Sequence, residues 1–150
     1  NEVVERSSPV QVGTETTWSK VMLGGECSHT QAAIKTDGTL WVWGSNQHGT
    51  LGQNQGQSNM TNSRSSPVQI PGTTWKEISL GVIGGVGSGY CIAVKTDGTM
   101  WSWGPNDGDQ DGGLGQNNVI HYSSPTQIGT DTDWNQAAAG RGTGYALKDL

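Results

Sequence analysis

Short runs of alternating apolar and polar residues, bounded by glycine, proline and Asp-Gly pairs, occupy most of this chain. In the segment Trp75–Leu80 the alternation places Ile78 and Leu80 on one face, and Ala137 and Ala139 take the equivalent positions further along. Such alternation is typical of a half-buried β-strand. No segment shows the 3.6-residue period of an amphipathic helix. The pattern therefore predicts an all-β protein made of short strands.

Two sequence motifs recur along the chain. Thr36–Gly44 returns as Thr96–Gly104 with two substitutions in nine positions, and a Ser-Pro-x-Gln segment begins at Ser8, Ser66 and Ser124. A period of this length is typical of stacked supersecondary units, each of which buries its apolar face against the next. We predict that residues 1–150 are part of one domain, with two repeat units and part of a third. These units span approximately 7–64, 65–122 and 123–150, the last of them incomplete.

Each unit is predicted to contain four strands. The Ser-Pro segment is taken as the first strand, because proline is tolerated at a strand start or a sheet edge. The second strand begins at Trp18, Trp75 or Trp134, the third carries an Ala-x-Lys segment, and the fourth carries Trp-x-Trp. Asp37-Gly38 joins the third strand to the fourth in the first unit, and this dipeptide favours a two-residue type I′ hairpin turn.

Two tryptophans lie on the same face of each fourth strand, since they are two residues apart. They are Trp41 and Trp43 in the first unit, and Trp101 and Trp103 in the second. Such a row of indoles can form a stacking platform for sugars or bases, or a core between packed sheets. A repeated, in-register pair favours the core.

The composition narrows the classes of partner. Of 150 residues, only 31% are hydrophobic, with 24 Gly, 7 Trp and no Phe, and the formal net charge is −5. Eight scattered basic residues cannot neutralise a row of phosphates, so nucleic acid is not expected as a partner. No apolar run reaches the length of a membrane span. Cys27 and Cys91 are predicted to be buried free thiols, unless neighbouring units bring them within about 7 Å.

One loop has the spacing of a calcium site. Asp107, Asp109 and Asp111 alternate, and Gly112 follows at the sixth position, as in the first half of a calcium-binding loop. The twelfth position holds Asn118 instead of a bidentate glutamate. Calcium binding and a solvated acidic loop are both open interpretations, and no other cofactor is expected.

The order of motifs resembles the repeat of the regulator of chromosome condensation family. The resemblance rests on Trp43-Gly44 followed by Asn46 and Leu51-Gly52, together with the preceding Lys-Thr-Asp-Gly-Thr, and it covers essentially the whole chain. It implies a β-propeller, usually of seven four-stranded antiparallel blades, of which this chain holds about two and a half repeats. We expect an excerpt of a longer propeller, in contact with further repeats. The repeat signature consists of Asp37, Gly38, Trp41, Trp43, Gly44, Asp97, Gly98, Trp101, Trp103 and Gly104.

The function expected from these features is recognition of a protein by loops on a constant scaffold. Loops that change in length between repeats are where binding usually resides, and no catalytic grouping of side chains stands out, so no enzyme activity is expected. Family analogy supplies an alternative, a guanine nucleotide exchange factor for a small GTPase. A carbohydrate-binding adhesin with exposed tryptophans is a second alternative. The style of the repeat resembles bacterial or phage members, and an extracellular or virion surface is favoured over the nucleus.

Overall fold

The strands form three antiparallel sheets that follow one another along the chain. A computed structural model describes residues 8, 9, 11, 13–24, 29–55, 62–83, 89–106 and 113–148. The strands are β1 (Trp18–Leu23), β2 (Thr30–Lys35), β3 (Leu40–Gly44), β4 (Arg64–Ile70), β5 (Trp75–Val82), β6 (Gly89–Lys95), β7 (Met100–Gly104), β8 (Tyr122–Gln127), β9 (Trp134–Ala139) and β10 (Gly144–Lys148). The first sheet has the order β1-β2-β3-β4, the second β5-β6-β7-β8, and the third contains β9 and β10. The predicted all-β fold with four-stranded antiparallel sheets is confirmed.

The Ser-Pro segment is the fourth strand of a sheet, not the first. β4 pairs with β3 through Val42 and Val68, and β8 pairs with β7 through Ser102 and Thr126. Each sheet is therefore offset by one strand from the sequence units 7–64, 65–122 and 123–150, whose own limits stay a prediction. The assignment of the segment as a first strand is wrong because proline fits either outer edge of a sheet, so its presence does not choose between them.

The Asp-Gly hairpins form with a different turn from the predicted type I′. The Lys35 N–H donates to the Thr39 carbonyl at 3.0 Å, and the Gly38 N–H donates to the Lys35 carbonyl at 3.0 Å. Gly38 has φ +76°, whereas Asp37 does not have positive φ. This is a three-residue loop, a type I turn followed by a glycine bulge, and residues 95–99 repeat it. The type I′ prediction is wrong because it requires positive φ at the aspartate as well.

Two hydrophobic cores lie between the stacked sheets. Ile78 and Leu80 of β5 pack toward the first sheet, and Ala137 and Ala139 pack toward the second, so their predicted equivalence is confirmed. The first core also contains Ile34, Leu40, Leu51, Ile70, Cys91, Ala93 and Trp103. The second core contains Tyr90, Ile92, Val94, Met100 and Leu114. Alternate residues of β6 thus belong to different cores, because successive side chains of a strand point to opposite faces.

Cys91 is a buried free thiol in the first core, as predicted. Burial raises the pKa of this thiol well above its usual range, because the apolar surroundings disfavour the thiolate. Its Sγ lies 3.5 Å from the Thr50 carbonyl oxygen. Cys27 lies outside the described residues. Within the part of the chain that the structure describes, no helix is long and apolar enough to cross a membrane.

Candidate interaction surface

The two ends of each sheet differ in how constant their connections are. One end, the hairpin end, carries the turns 36–39 and 96–99, which have the same length and the same hydrogen bonds. The other end, the loop end, carries the connections β1–β2, β5–β6 and β9–β10. The equivalent paired residues that bracket these connections are Leu23 with Gln31, Leu80 with Cys91, and Ala139 with Gly144. The enclosed segments, 24–30, 81–90 and 140–143, all differ in length.

The longest connections leave from the same loop end. Gly44, the last residue of β3, pairs with Thr30, the first residue of β2, so segment 45–63 begins beside the β1–β2 connection. Segment 105–121 occupies the same place in the second sheet. The long and most variable connections of adjacent sheets therefore lie along one edge of the stack, whereas the hairpin turns at the opposite edge are constant.

The signature aspartates hold the turns at the hairpin end. Asp97 Oδ1 accepts hydrogen bonds from the Thr99 N–H at 3.0 Å and from the Thr99 hydroxyl at 2.6 Å. Asp37 makes the same pair of bonds with Thr39. Side-chain and backbone hydrogen bonds from the threonine lower the pKa of each aspartate, because they favour the charged carboxylate. These residues are turn-forming groups.

The lowered pKa of Asp97 gives a pH prediction. A carboxylate favoured by the folded state contributes stability above its unfolded pKa, and that contribution is lost as the pH falls through the lower folded pKa. Replacing Thr99 with valine removes the hydroxyl donor, so the pKa of Asp97 is expected to rise toward its ordinary value. Carboxyl carbon NMR titration measures the change, and Asp37 serves as an internal control. An Asp97 pKa that stays as low in Thr99→Val as in the unmodified chain would contradict this account.

The signature tryptophans lie on sheet faces. Trp103 is fully buried between the first and second sheets, and its Nε1–H donates to the Thr50 carbonyl at 2.9 Å. Trp75 is also buried, with ring centroids 6.2 Å from Trp101 and 6.0 Å from Trp103. In the second sheet the indoles thus form the core between sheets, which leaves Trp75 and Trp103 unavailable to a sugar.

A lysine lies over the indoles of each sheet. Lys95 Nζ is 3.9 Å from the centroid of Trp101 and 4.7 Å from that of Trp75. In the same way, Lys35 lies over Trp18 and Trp41, and Lys148 lies over Trp134. Lys35 and Lys148 also form ion pairs, with Glu15 and with Asp131 and Asp133 respectively. Lys95 forms no ion pair with a described residue, so its contacts with the rings are the simplest to test.

Replacing Lys95 with methionine is expected to lower the free energy of unfolding by about 0.5–1 kcal/mol, because methionine keeps the chain length and loses the charge over the rings. Lys95→Arg retains the cation and is expected to keep most of the stability. Denaturant unfolding of the three proteins measures the difference. Equal stability of the methionine variant and the unmodified chain would show that the cation contributes nothing.

The signature glycines allow close backbone approach at the loop end. Gly44 has φ +105°, and a Cβ there would lie 2.0 Å from the His29 carbonyl oxygen. That oxygen accepts a hydrogen bond from the Ser45 N–H at 2.9 Å. Gly104 has φ +113° at the equivalent place. Both glycines turn the chain out of the sheet into the long connections.

A buried asparagine organises the start of each long connection, and sequence reasoning did not assign it this role. Asn46 Oδ1 accepts from the Leu51 N–H at 2.9 Å, and its Nδ2 donates to the Gln55 carbonyl at 2.5 Å. Asn106 makes the equivalent bonds, from the Leu114 N–H and to the Asn118 carbonyl. The recurrence of an asparagine two residues after the signature glycine is the signal that could have identified it.

Segment 45–63, the connection that follows β3, also forms hydrogen bonds between the first sheet and the second. The Thr50 hydroxyl donates to the Gly89 carbonyl at 2.7 Å, and the Asn54 N–H donates to the Ser123 carbonyl at 2.7 Å. The rings of His48 and His121 are 5.0 Å apart. Segment 45–63 therefore crosses the junction between the two sheets, and it lies beside segment 105–121 of the second sheet.

Asp107, Asp109 and Asp111 lie outside the described residues, so calcium binding stays a prediction. The segment that carries them runs from Asn106 to Leu114. Both of these residues are buried, and the Leu114 N–H donates to Asn106 Oδ1. Among the residues that the structure does describe, no group of three or more His, Cys, Asp or Glu is placed to hold a metal ion.

Four-stranded antiparallel sheets that stack face to face, each followed directly by the next, are blades of a β-propeller. Residues 37–84 match the model of the regulator of chromosome condensation (RCC1) repeat. That match includes the first-unit signature residues and β5, and it agrees with the family resemblance found in the sequence. No curated protein sequence matches the chain significantly.

Solved structures share the fold. Human WBSCR16 superposes with a TM-score of 0.66 at 21% identity, covering 87% of this chain and 31% of that one. A chain from the crystal structure of Kap60 bound to yeast RCC1 (Prp20) superposes with a TM-score of 0.60 at 20% identity, covering 87% of this chain and 30% of that one. This chain thus spans about a third of the length of these structures, and at such identities the likeness shows the fold.

Proposed function

We propose that the chain is part of an RCC1-type propeller that acts as a non-enzymatic protein-interaction module, with the loop end as its binding surface. The observation that carries this proposal is the asymmetry between the two ends of the sheets. The hairpin turns 36–39 and 96–99 have the same length, and the connections 71–74 and 128–133 at that end are short. The connections at the loop end vary more in length and include the longest ones, 45–63 and 105–121. Binding surfaces are commonly built from variable loops held by a rigid scaffold.

A protein is the partner class that agrees best with the chemistry of the chain. The formal net charge is −5, which disfavours a partner bound through phosphates. The similar structure that contains yeast RCC1 is a complex with Kap60, so a protein of this fold does take a protein partner.

Further propeller repeats are a second kind of contact, since apolar side chains are exposed on the outer faces of the stack. Val21 and Leu23 are exposed on β1, and Tyr145 and Leu147 on β10.

The proposal is tested by exchanging connections at one end only. In the test variant, residues 84–88 of the β5–β6 connection are exchanged for two glycines, which keeps the strands and the core residue Tyr90; in the control, Thr36→Ala and Thr96→Ala alter the hairpin end. A partner is first captured from the source cell and identified, and its affinity for the purified proteins is then measured. We expect the exchange to weaken binding at least tenfold and the control to leave it unchanged. Equal binding by the exchange variant, or equal loss in the control, would contradict a loop-end surface.

Two further assays on the purified chain distinguish the alternative functions. Faster nucleotide release from a small GTPase would replace this proposal with the exchange-factor function, for which family analogy is the support. Saturable binding of an oligosaccharide would favour the adhesin. An extracellular or virion location and a bacterial or phage source stay predictions.

Calcium binding by Asp107, Asp109 and Asp111 is a separate proposal, supported by their alternate spacing and the glycine at the sixth position. Calorimetric titration of calcium into the chain is expected to release or absorb heat with saturation, and the variant with all three residues changed to asparagine should bind more weakly, because the carboxylate charges are lost. No heat on titration, together with no change of melting temperature on adding chelator, would remove the proposal.

A further inference from the structure

The backbone N–H of the buried asparagine meets a different acceptor in each of the first two sheets. The Asn46 N–H donates to Ser63 Oγ at 3.4 Å, whereas the Asn106 N–H donates to His121 Nδ1 at 2.9 Å. Ser63 and His121 hold equivalent positions, because each directly precedes the residue of the fourth strand that pairs with the signature glycine. The start and the end of the connection are therefore joined by a hydroxyl in the first sheet and by an imidazole in the second.

The bond to His121 requires a neutral ring. Nδ1 accepts a hydrogen bond through its lone pair, and a neutral imidazole then carries its proton on Nε2. A second proton adds a hydrogen to Nδ1, so two donors face each other and the bond is lost. Histidine gains this proton between about pH 5 and 8, whereas a serine hydroxyl remains an acceptor over the same range. His121 is exposed, which gives protons from solvent access to the ring.

Loss of the bond leaves a buried donor without this acceptor. Asn106 is fully buried, and its side chain bonds to the Leu114 N–H and to the Asn118 carbonyl. A buried N–H that loses its acceptor costs free energy, so Asn106 and His121 must separate for water to reach it. The net contribution of such a bond corresponds to about a three- to tenfold change in an equilibrium constant.

A second histidine faces His121 from the first sheet. The ring centroids of His48 and His121 are 5.0 Å apart. His48 has φ +54°, and a Cβ on the next residue, Gly49, would lie 2.6 Å from Ser123 Cα, so this part of segment 45–63 packs closely on the start of β8. When both rings carry a proton, two like charges are in contact and repel each other. Protonation therefore also weakens the contact between the two segments.

The other titratable groups beside His121 belong to its own segment. The Tyr122 hydroxyl accepts a hydrogen bond from Asn118 Nδ2 at 3.0 Å. Phenols carry no charge between about pH 5 and 8, and carboxylates stay charged over this range. The carboxylates of this segment are Asp107, Asp109 and Asp111, which lie outside the described residues. Histidine is thus the residue type here whose charge changes between these pH values.

We propose that His121 makes the bond between the two ends of segment 105–121 pH-sensitive, so that protonation of its ring releases Asn106. The equivalent bond in the first sheet, from Asn46 to Ser63, keeps its acceptor at either pH. Val119 and Ile120 directly precede His121 and are 65% and 61% exposed, so the release alters an apolar part of the loop end. A pH dependence of partner binding at the loop end is a consequence that rests on the proposed function.

Hydrogen exchange of the Asn106 N–H tests the proposal without a partner, so its result is independent of the proposed function. Exchange is measured by NMR at about pH 8 and about pH 5, with the Asn46 N–H as internal control. Chelator is present throughout, so that cation binding by the aspartates adds no pH dependence. We expect the protection of Asn106 relative to Asn46 to fall about three- to tenfold at the lower pH. A ratio that stays the same at both pH values would overturn the proposal.

A matched pair of histidine variants assigns the effect to one ring. His121→Ser gives the second sheet the acceptor that the first sheet has, so the protection ratio is expected to be the same at both pH values. His29→Gln removes a histidine that does not take part in this bond, and it is expected to keep the full pH dependence. A fall that persists in His121→Ser, or that disappears in His29→Gln, would show that His121 is not the group that titrates.

Discussion

Replacing Trp103 with alanine is expected to lower the free energy of unfolding by about 3–5 kcal/mol, the usual range for a buried tryptophan. This indole is fully buried, belongs to the core between the first two sheets and donates a hydrogen bond to the first long connection. Its removal leaves a cavity and takes the N–H donor away from the Thr50 carbonyl, so packing and hydrogen bonding are lost together. Denaturant unfolding followed by circular dichroism measures the change.

The repeat offers a matched control for this substitution. Trp43 occupies the same motif position in the first sheet, where it is half-buried and lies in a shallow pocket with Val21 and Ala33. Trp43→Ala is therefore expected to cost much less than Trp103→Ala. Equal losses for the two variants would show that the junction between the sheets does not depend on the Trp103 indole.

Replacing Gly98 with alanine is expected to lower the free energy of unfolding by about 2–4 kcal/mol, from strain at positive φ together with overpacking. Gly98 has φ +77°, and a Cβ there would lie 1.9 Å from the Thr132 carbonyl oxygen. The Gly98 carbonyl accepts a hydrogen bond from the Trp134 N–H at 3.1 Å, so the turn contacts the start of the third sheet. The thermal midpoint of unfolding should fall accordingly.

Gly129→Ala separates the two causes of this loss. It imposes the same kind of backbone strain in open space, so it is expected to cost only about 1–2 kcal/mol. If Gly98→Ala is no more destabilising than Gly129→Ala, the close approach between the turn and the third sheet does not exist in solution.

The strands could be predicted from the sequence because their signals are local, and the long repeat period predicted that the units stack. Alternation in Trp75–Leu80 predicted the face that carries Ile78 and Leu80, and the Asp-Gly pairs predicted the hairpins. A repeat, however, has no intrinsic starting point, and a proline fits either sheet edge. The assignment of β4 to the preceding sheet therefore depends on pairing between Val42 and Val68, which no local pattern shows.

The contacts between sheets could not be predicted either, because no local pattern in the sequence shows them. The bond from Trp103 to Thr50 joins residues that are far apart in the chain, and it depends on how one sheet is rotated against the next. The turn type was missed because an aspartate before a glycine suits two hairpin turns, and loop length decides between them.

Consecutive repeats form sheets that pack face to face through the indole of Trp103. A nuclear Overhauser measurement between the Trp103 indole N–H and the Ile70 δ-methyl group tests it most directly. Trp103 Nε1 and Ile70 Cδ1 both lie within 3 Å of the point where a Gly52 Cβ would stand. We predict a clear cross-peak between these two groups. Cross-peaks from the Trp103 indole confined to the second sheet would contradict the stacked arrangement.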